Sequence, residues 1–311
     1  MKESFSISII IPVYKSEGIL QELINEIHKV VDLNFKSNEL IFVDDGSDDN
    51  SWKKIITFSK KYESIKGIKL SRNFGQHYAI LAGLNTARGE KIIVMDCDLQ
   101  DSPKYIPEMI NQYNNGSEII FTIRKNRKFN FLKNFSAFLF YKIYNFLLQD
   151  KNLKVNFSMG SYTLFSKKVL KEYLKVGDYR RHHVMVLKWL GFKTSNIIIE
   201  HESRSIGKSG YNFFKLLDLA IDTIIFNSNR ILNYFIITGL LISFIAFLGI
   251  LTIIINSFFT DYNQGWPSIF IMILFSLGLI IFCIGIVGLY IGKMFDQTKN
   301  RQKFIIEDIV M

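Results

Sequence analysis

From Ser6 to about Arg124 the chain alternates short β-branched runs with stretches of helical periodicity. The runs SISIIIP, ELIFVDD, IKLS, KIIVMD and SEIIFTI hold consecutive apolar residues, the mark of strands covered on both faces. Between them the pattern predicts helices from about Glu17, from about Asn50, over Gln76 to Ala87, and opening at Pro103. Such alternation predicts an α/β fold with a mostly parallel sheet. Ligands of these sheets bind beyond the carboxyl ends of the strands, so the polar residues there come first.

The pattern changes near Arg230. No charged residue lies between Arg230 and Asp261, nor between Asp261 and Lys293. Each gap exceeds the ~20 apolar residues that cross a ~30 Å hydrocarbon layer. The expectation is a two-helix transmembrane hairpin over residues 230–292, with spans Ile231 to Phe258 and Ile269 to Ile291 around a turn holding Gly265 and Pro267. Lys215 and Arg230 precede the first span and Lys293, Lys299, Arg301 and Lys303 follow the second, while the connecting loop has no basic residue. By the positive-inside rule the soluble domain (residues 1–209) and both termini of this multi-pass chain are expected on the cytoplasmic side. Residues 293–311 read as a cytoplasmic tail.

Ile7 to Val13 is too short and too soon ended by Pro12 for a signal peptide, and reads as the first strand. Phe129 to Leu148 and Tyr211 to Asn227 mix large apolar residues with Lys side chains, as amphipathic interfacial helices do. Packing onto the sheet is an equal reading for the first, whereas the second (residues 210–229) directly precedes the bilayer. Gly278, Gly285, Gly288 and Gly292 would permit close helix contact and so a homo-oligomer.

Composition narrows the chemistry. The 311 residues are 49% apolar and 21% charged, which excludes a disordered chain. Two cysteines, Cys97 and Cys283, exclude a disulfide scaffold. A net charge of +10 attracts phosphates, nucleic acid or acidic lipid headgroups. No basic run with interleaved aromatics is present, so nucleic acid is not an expected partner. The five histidines, among them His77, His182 and His183, show no zinc-ligand spacing.

The acidic strand ends stand out. Asp44 and Asp45 close the second apolar run, and Asp96 and Asp98 close the fourth. Read as extended chain, Asp96 and Asp98 point to the same side and Cys97 to the other, so the pair could share one divalent cation. Carboxylates suit hard ions, and Mg²⁺ or Mn²⁺ with a substrate diphosphate is the usual company. Arg204, Lys208 and Ser209 form a basic loop suited to a diphosphate or an acceptor phosphate, and Arg124 and Arg127 are further candidates. Gly207-Lys208-Ser209 is no P-loop, since Glu202 stands where that motif needs glycine.

Taken in order, IPVYKSE (11–17), FVDDGSDD (42–49), RNFGQHYAILAGL (72–84) and MDCDLQDSP (95–103) resemble glycosyltransferase family 2, specifically its polyprenyl-phosphate glycosyltransferases. The likeness extends to the segment Arg204 to Tyr211 and to the C-terminal hairpin. It implies a GT-A type nucleotide-sugar-binding domain. Carried over by position, Pro12, Tyr14, Glu17, Asp44 and Asp45 surround the nucleotide, and Asp96, Asp98 and Gln100 hold the metal and diphosphate. On their own chemistry rather than by that carry-over, Arg204 and Lys208 are added to the catalytic set, and Arg124, Arg127 and Ser209 are candidates to meet the acceptor phosphate.

One run departs from the family. Many relatives carry D-x-G-D-F-R where this chain has Ser158-Met159-Gly160-Ser161-Tyr162-Thr163, and Leu289 replaces a frequent Glu. A serine is a poor general base, whereas a lipid phosphate is already ionised near neutral pH and needs none. The implied activity is inverting, metal-dependent transfer of a sugar from a nucleotide donor, UDP favoured, to undecaprenyl or another polyprenyl phosphate at the cytoplasmic face of the bilayer. The alternatives are transfer to a sugar hydroxyl and a non-catalytic nucleotide-sugar-binding relative.

Overall fold

The computed structural model describes residues 6–34, 37–125, 159–177, 182–200, 265–299 and 301–311, with isolated helical positions between 237 and 255. Arg127, the stretch 129–148, Ser158, Arg204, Lys208, Ser209 and the stretch 210–229 lie outside the described residues, as does nearly all of the first span.

The strands are β1 (Ile7–Val13), β2 (Asn38–Asp44), β3 (Ile65–Leu70), β4 (Lys91–Val94), β5 (Ile119–Lys125), β6 (Met159–Ser166), β7 (Thr194–Glu200) and β8 (Ile306–Val310). The helices are α1 (Leu20–Asn34), α2 (Ser51–Lys61), α3 (Gln76–Thr86), α4 (Ile106–Asn114), α5 (Lys167–Lys175), α6 (His183–Trp189) and α7 (Trp266–Thr298). A short 3-10 turn, Pro103–Tyr105, leads into α4. The strands form one sheet in the order β7-β5-β6-β4-β1-β2-β3-β8. Neighbours β4, β1, β2 and β3 run parallel, as do β5 and β7, whereas β6 runs antiparallel to both β4 and β5.

Pleating explains the consecutive apolar runs. Ile7, Ile9 and Ile11 of β1 enter one core layer with Leu20, Leu23 and Ile24 of α1, while Ile10 enters the other with Ala79, Ile80 and Ala82 of α3. Leu40 and Phe42 of β2 share the first layer, and Ile41 and Val43 the second. At the N-terminal ends of the strands, buried Glu39 accepts from Ser8 Oγ at 2.5 Å, Lys66 Nζ at 2.5 Å and the Arg88 amide at 2.6 Å. The opposite ends are left for chemistry.

Within residues 293–311, read from sequence as a tail, the last residues form a strand. There β8 pairs antiparallel with β3, Ser71 N donates to Ile305 O at 3.0 Å, and Lys69 Nζ lies 3.0 Å from Glu307 Oε1. The pairing satisfies backbone groups that the β3 edge would otherwise leave open. Of the expected transmembrane hairpin, nearly all of the first span lies outside the described residues. Among the described residues no helix meets both the length and the hydropathy needed to cross a membrane. Helix α7 itself is continuous over 33 residues.

Candidate functional site

The carboxyl ends of β1, β2 and β4 carry the acidic residues singled out from sequence. Asp44 ends β2 fully buried; its Oδ2 receives the Ser47 amide at 3.4 Å, and its Oδ1 has no hydrogen-bond partner among the described residues. Burial pushes its pKa above the usual carboxylate range. Asp45 bridges to the loop before α3, accepting Phe74 N on Oδ1 at 2.8 Å and Gly75 N on Oδ2 at 2.9 Å. Burial outweighs those bonds and raises Asp45 to about 6. Gly46 follows at φ +67°, and a Cβ there would stand 2.4 Å from the Arg72 carbonyl carbon. Only glycine lets the two loops approach so closely.

The segment after β1 is stitched to the loop after β2. Lys15 N donates to Ser47 Oγ at 3.0 Å, Ser16 N to Ser51 Oγ at 3.0 Å, and Glu17 N to Asp49 Oδ2 at 3.3 Å. Glu17 Oε2 in return accepts Asn50 N at 2.8 Å, at the start of α2. Pro12 is buried within β1 opposite Val43, while Tyr14 stands 45% exposed at its mouth with the Lys15 ammonium 5.5 Å from its ring. Lys15 itself is left-handed at φ +50°, as is Leu99 at +57°, conformations that cost non-glycine residues ~1 kcal/mol and cluster at functional sites.

Strand β4 ends at Val94, so Asp96 and Asp98 do not extend it; Cys97 and Asp98 form a turn that leads to left-handed Leu99. The two carboxylates are therefore brought near each other by a turn rather than by pleat alternation. Asp98 Oδ1 accepts Gln100 N at 3.2 Å. Asp96 Oδ1 receives Gln76 Nε2 at 2.6 Å and Ser161 Oγ at 2.7 Å. Burial, reinforced by Asp101 and Asp98, raises Asp96 to about 6 against the pull of Ser161 and Arg124. Cys97 turns away, its Sγ 3.2 Å from Ser16 Oγ and its thiol pushed by burial up to about 11.

Arg124, at the end of β5, is committed to protein carboxylates. Its Nε and NH2 reach Asp101 Oδ1 and Oδ2 at 3.1 and 2.6 Å, and NH2 lies 3.7 Å from Asp96 Oδ2. A Cβ on Gly160 would meet NH2 at 3.0 Å and Cζ at 3.1 Å, so the guanidinium lies against that glycine. Behind Ser161, Thr163 Oγ1 is 2.9 Å from His183 Nε2, and His183 Nδ1 is 3.2 Å from the Tyr173 hydroxyl. Burial drives His183 down to about 3 and takes His77 well below the usual imidazole range, and His182 is lowered as well. These neutral rings, with His77 and His182 4.6 Å apart, buttress the site.

The Glycosyl transferase family 2 model matches residues 8–174 of the chain. The chain belongs to glycosyl transferase family 2. It is 31% identical to an uncharacterized glycosyltransferase of Bacillus subtilis (strain 168), over 99% of this chain and 95% of that one. It is 30% identical to the bactoprenol glucosyl transferase of Shigella phage SfII, over 97% of each. Among solved structures, glucosyl-3-phosphoglycerate synthase of Mycobacterium tuberculosis, in complex with Mg²⁺ and uridine diphosphate, superimposes with a TM-score of 0.51 at 14% identity. That match covers 71% of this chain and 77% of the other. The shared fold is the GT-A-like α/β fold with its mostly parallel sheet.

For this family 2 domain, the described residues bring Asp44, Asp45, Glu17, Tyr14, Asp96, Asp98 and Gln100 to one end of the sheet. Asp45 and Glu17 spend their carboxylates on backbone amides, and Arg124 spends its charge on Asp101. Sequence reasoning passed over Gln76, Asp101 and the contact of Ser161 with Asp96. A divalent cation would find two carboxylates here, Asp96 through Oδ2 and Asp98. Among the described residues no cluster of three acidic, His or Cys side chains could hold a metal alone. The donor set fits a hard ion that takes its remaining ligands from a diphosphate and water.

Proposed function

We propose that the protein transfers a sugar from a nucleoside diphosphate donor, UDP in the favoured case, to a polyprenyl phosphate at the cytoplasmic face of a bacterial inner membrane. The observation that carries the reading is that Asp96, Asp98 and the buried Asp44, whose Oδ1 has no hydrogen-bond partner among the described residues, all follow or close the parallel strands β4 and β2 on either side of β1. A lone carboxylate oxygen suits a base N–H or a ribose hydroxyl. Tyr14 offers an exposed ring beside it, and Asp45 fixes the loop carrying Phe74 and Gly75. Mg²⁺ or Mn²⁺, bound through Asp96 and Asp98, supplies the positive charge that offsets a departing diphosphate. Gln100 sits in the turn of Asp98 and orients it through its own amide.

The acceptor follows from what Ser161 is not. A hydroxyl acceptor needs a base, and Ser161 donates its proton to Asp96 instead. An ionised phosphate attacks without one. Relatives described as bactoprenol glucosyl transferases, matched over nearly the whole chain, support that acceptor. Arg127, Arg204, Lys208 and Ser209 are its proposed partners. Two charge-free stretches, 231–260 and 262–292, support a membrane hairpin that presents the site to the lipid.

The test is to incubate the detergent-purified protein with a panel of nucleotide sugars and undecaprenyl phosphate. A charged glycolipid product is expected. Transfer to undecaprenol or to sugar hydroxyls, with none to the phosphate, would overturn the reading.

A further inference from the structure

Among the described residues, Asp96 accepts hydrogen bonds on one oxygen only. Its Oδ1 receives two donors, Gln76 Nε2 at 2.6 Å from the start of α3 and Ser161 Oγ at 2.7 Å from β6. A carboxylate oxygen has two in-plane lone pairs, so these donors fill Oδ1 and leave Oδ2 as the free side of the group. The two donors come from opposite sides of Asp96 in the chain, one 20 positions before it and one 65 after. Together they fix the rotation of the carboxyl group.

That rotation has a competitor. Arg124 NH2 lies 3.7 Å from Asp96 Oδ2, beyond hydrogen-bond range but close enough to attract it. The guanidinium cannot retreat, because Asp101 grips it with two bonds and Gly160 lies against its face. A carboxyl group freed from Oδ1 would turn onto Arg124 and form a closed ion pair. Its Oδ2 would then be taken up by Arg124 instead of being left for a cation beside Asp98.

We propose that Gln76 and Ser161 are positioning residues that clamp Asp96 Oδ1 and so hold Oδ2 open for a divalent cation. The inference rests on the reading that Asp96 and Asp98 bind that cation. It also gives the serine at 161 a task of its own. An ionised carboxylate at the same place would face Asp96 Oδ1 at contact distance and repel it, whereas a hydroxyl donates. The serine therefore belongs with Gln76 to a metal site built from two carboxylates and two neutral donors.

The experiment titrates Mn²⁺ into the full-length, detergent-solubilised protein with saturating UDP and reads free Mn²⁺ by electron paramagnetic resonance. Partners that orient a metal ligand are typically worth 10–100-fold in metal affinity. Ser161→Ala and Gln76→Met should each weaken Mn²⁺ binding about tenfold. Ser161→Thr, which keeps the hydroxyl, should stay within about twofold of the unaltered protein, a difference well below that range. UDP affinity measured without metal should be unchanged in all of them, showing that the nucleotide site is intact.

Mn²⁺ affinities of the Ala and Met variants equal to that of the unaltered chain would overturn the clamp while leaving the metal reading standing. A Thr variant as weak as the Ala variant would also overturn it, since bulk rather than the hydroxyl would then matter. Failure of the unaltered chain to bind Mn²⁺ at all would overturn the metal reading and the clamp with it.

Discussion

Arg124 and Asp101 form a two-pronged ion pair, Nε 3.1 Å from Oδ1 and NH2 2.6 Å from Oδ2, with side-chain exposures of 10% and 0%. Removing one partner of a buried pair leaves the other charged and unsatisfied, at about 3–5 kcal/mol. Arg124→Ala should therefore lower unfolding stability by about 3 kcal/mol in a denaturant titration. Gly160→Ala should be destabilising in the natural background but nearly neutral in Arg124→Ala, because the side chain it strikes is gone. Equal effects in both backgrounds would show that Gly160 is not held by Arg124.

In the proposed function Asp98 supplies the second carboxylate of the cation site. Converting it to Asn should lower turnover roughly a hundredfold without loss of fold. EDTA should abolish activity in the natural protein, with recovery on adding Mg²⁺ or Mn²⁺. Transfer that survives both treatments would remove the metal from the scheme.

Asp45 makes stability depend on pH in a defined sense. Its folded pKa is raised by burial to about 6, above the 3.8 of a free carboxyl. The folded state then holds a proton that the unfolded state has lost between about pH 4 and 6. Its contribution is present in full below pH 3.8 and is lost as pH rises through about 6. The amount is on the order of 3 kcal/mol. Asp45→Asn should lower stability overall yet flatten this part of the pH–stability curve. An unchanged slope would show that Asp45 is ionised throughout.

The serines offer a separation of turnover from metal demand. Ser158→Ala with Ser161→Ala should retain transfer to undecaprenyl phosphate within about tenfold, ~1.4 kcal/mol of barrier, when Mn²⁺ is saturating. At limiting Mn²⁺ the same variant should fall much further behind. Arg204→Ala should cost more than the serine pair under either condition. A folded but inactive double variant at saturating metal would sink the base-free phosphate acceptor.

Topology is checked with reporters. A fusion at Gln264 should read non-cytoplasmic and one after Met311 cytoplasmic. A cytoplasmic signal at Gln264 would eliminate the hairpin.

Much of the catalytic sheet was legible because burial on both faces forces consecutive apolar residues, as in Ile9-Ile10-Ile11 and Ile41-Phe42-Val43. The acidic close of that run, Asp44 and Asp45, was legible where the apolar residues stop. Strand β6 was not, since its place between β4 and β5 is a matter of sheet order that no local pattern encodes. Nor was the use of Arg124, whose charge reads from sequence as free for a phosphate until Asp101, 23 positions earlier, is found against it. The same holds for Gln76 and Ser161, which meet only through Asp96. Strand β8 escaped because Ile306-Glu307-Asp308-Ile309-Val310 is short, carries two acidic residues in five and is remote from its partner.

That last strand has a topological meaning. The backbone leaves the catalytic sheet after Glu200 at the end of β7 and is back in it by Ile306, hydrogen-bonded to β3 in register with Leu70. A chain that starts and finishes in one folded sheet must begin and end on the same side of any bilayer. Everything between those residues can cross a membrane an even number of times and never an odd number. A single anchoring helix is thereby forbidden by the sheet itself, independently of how the basic residues are distributed.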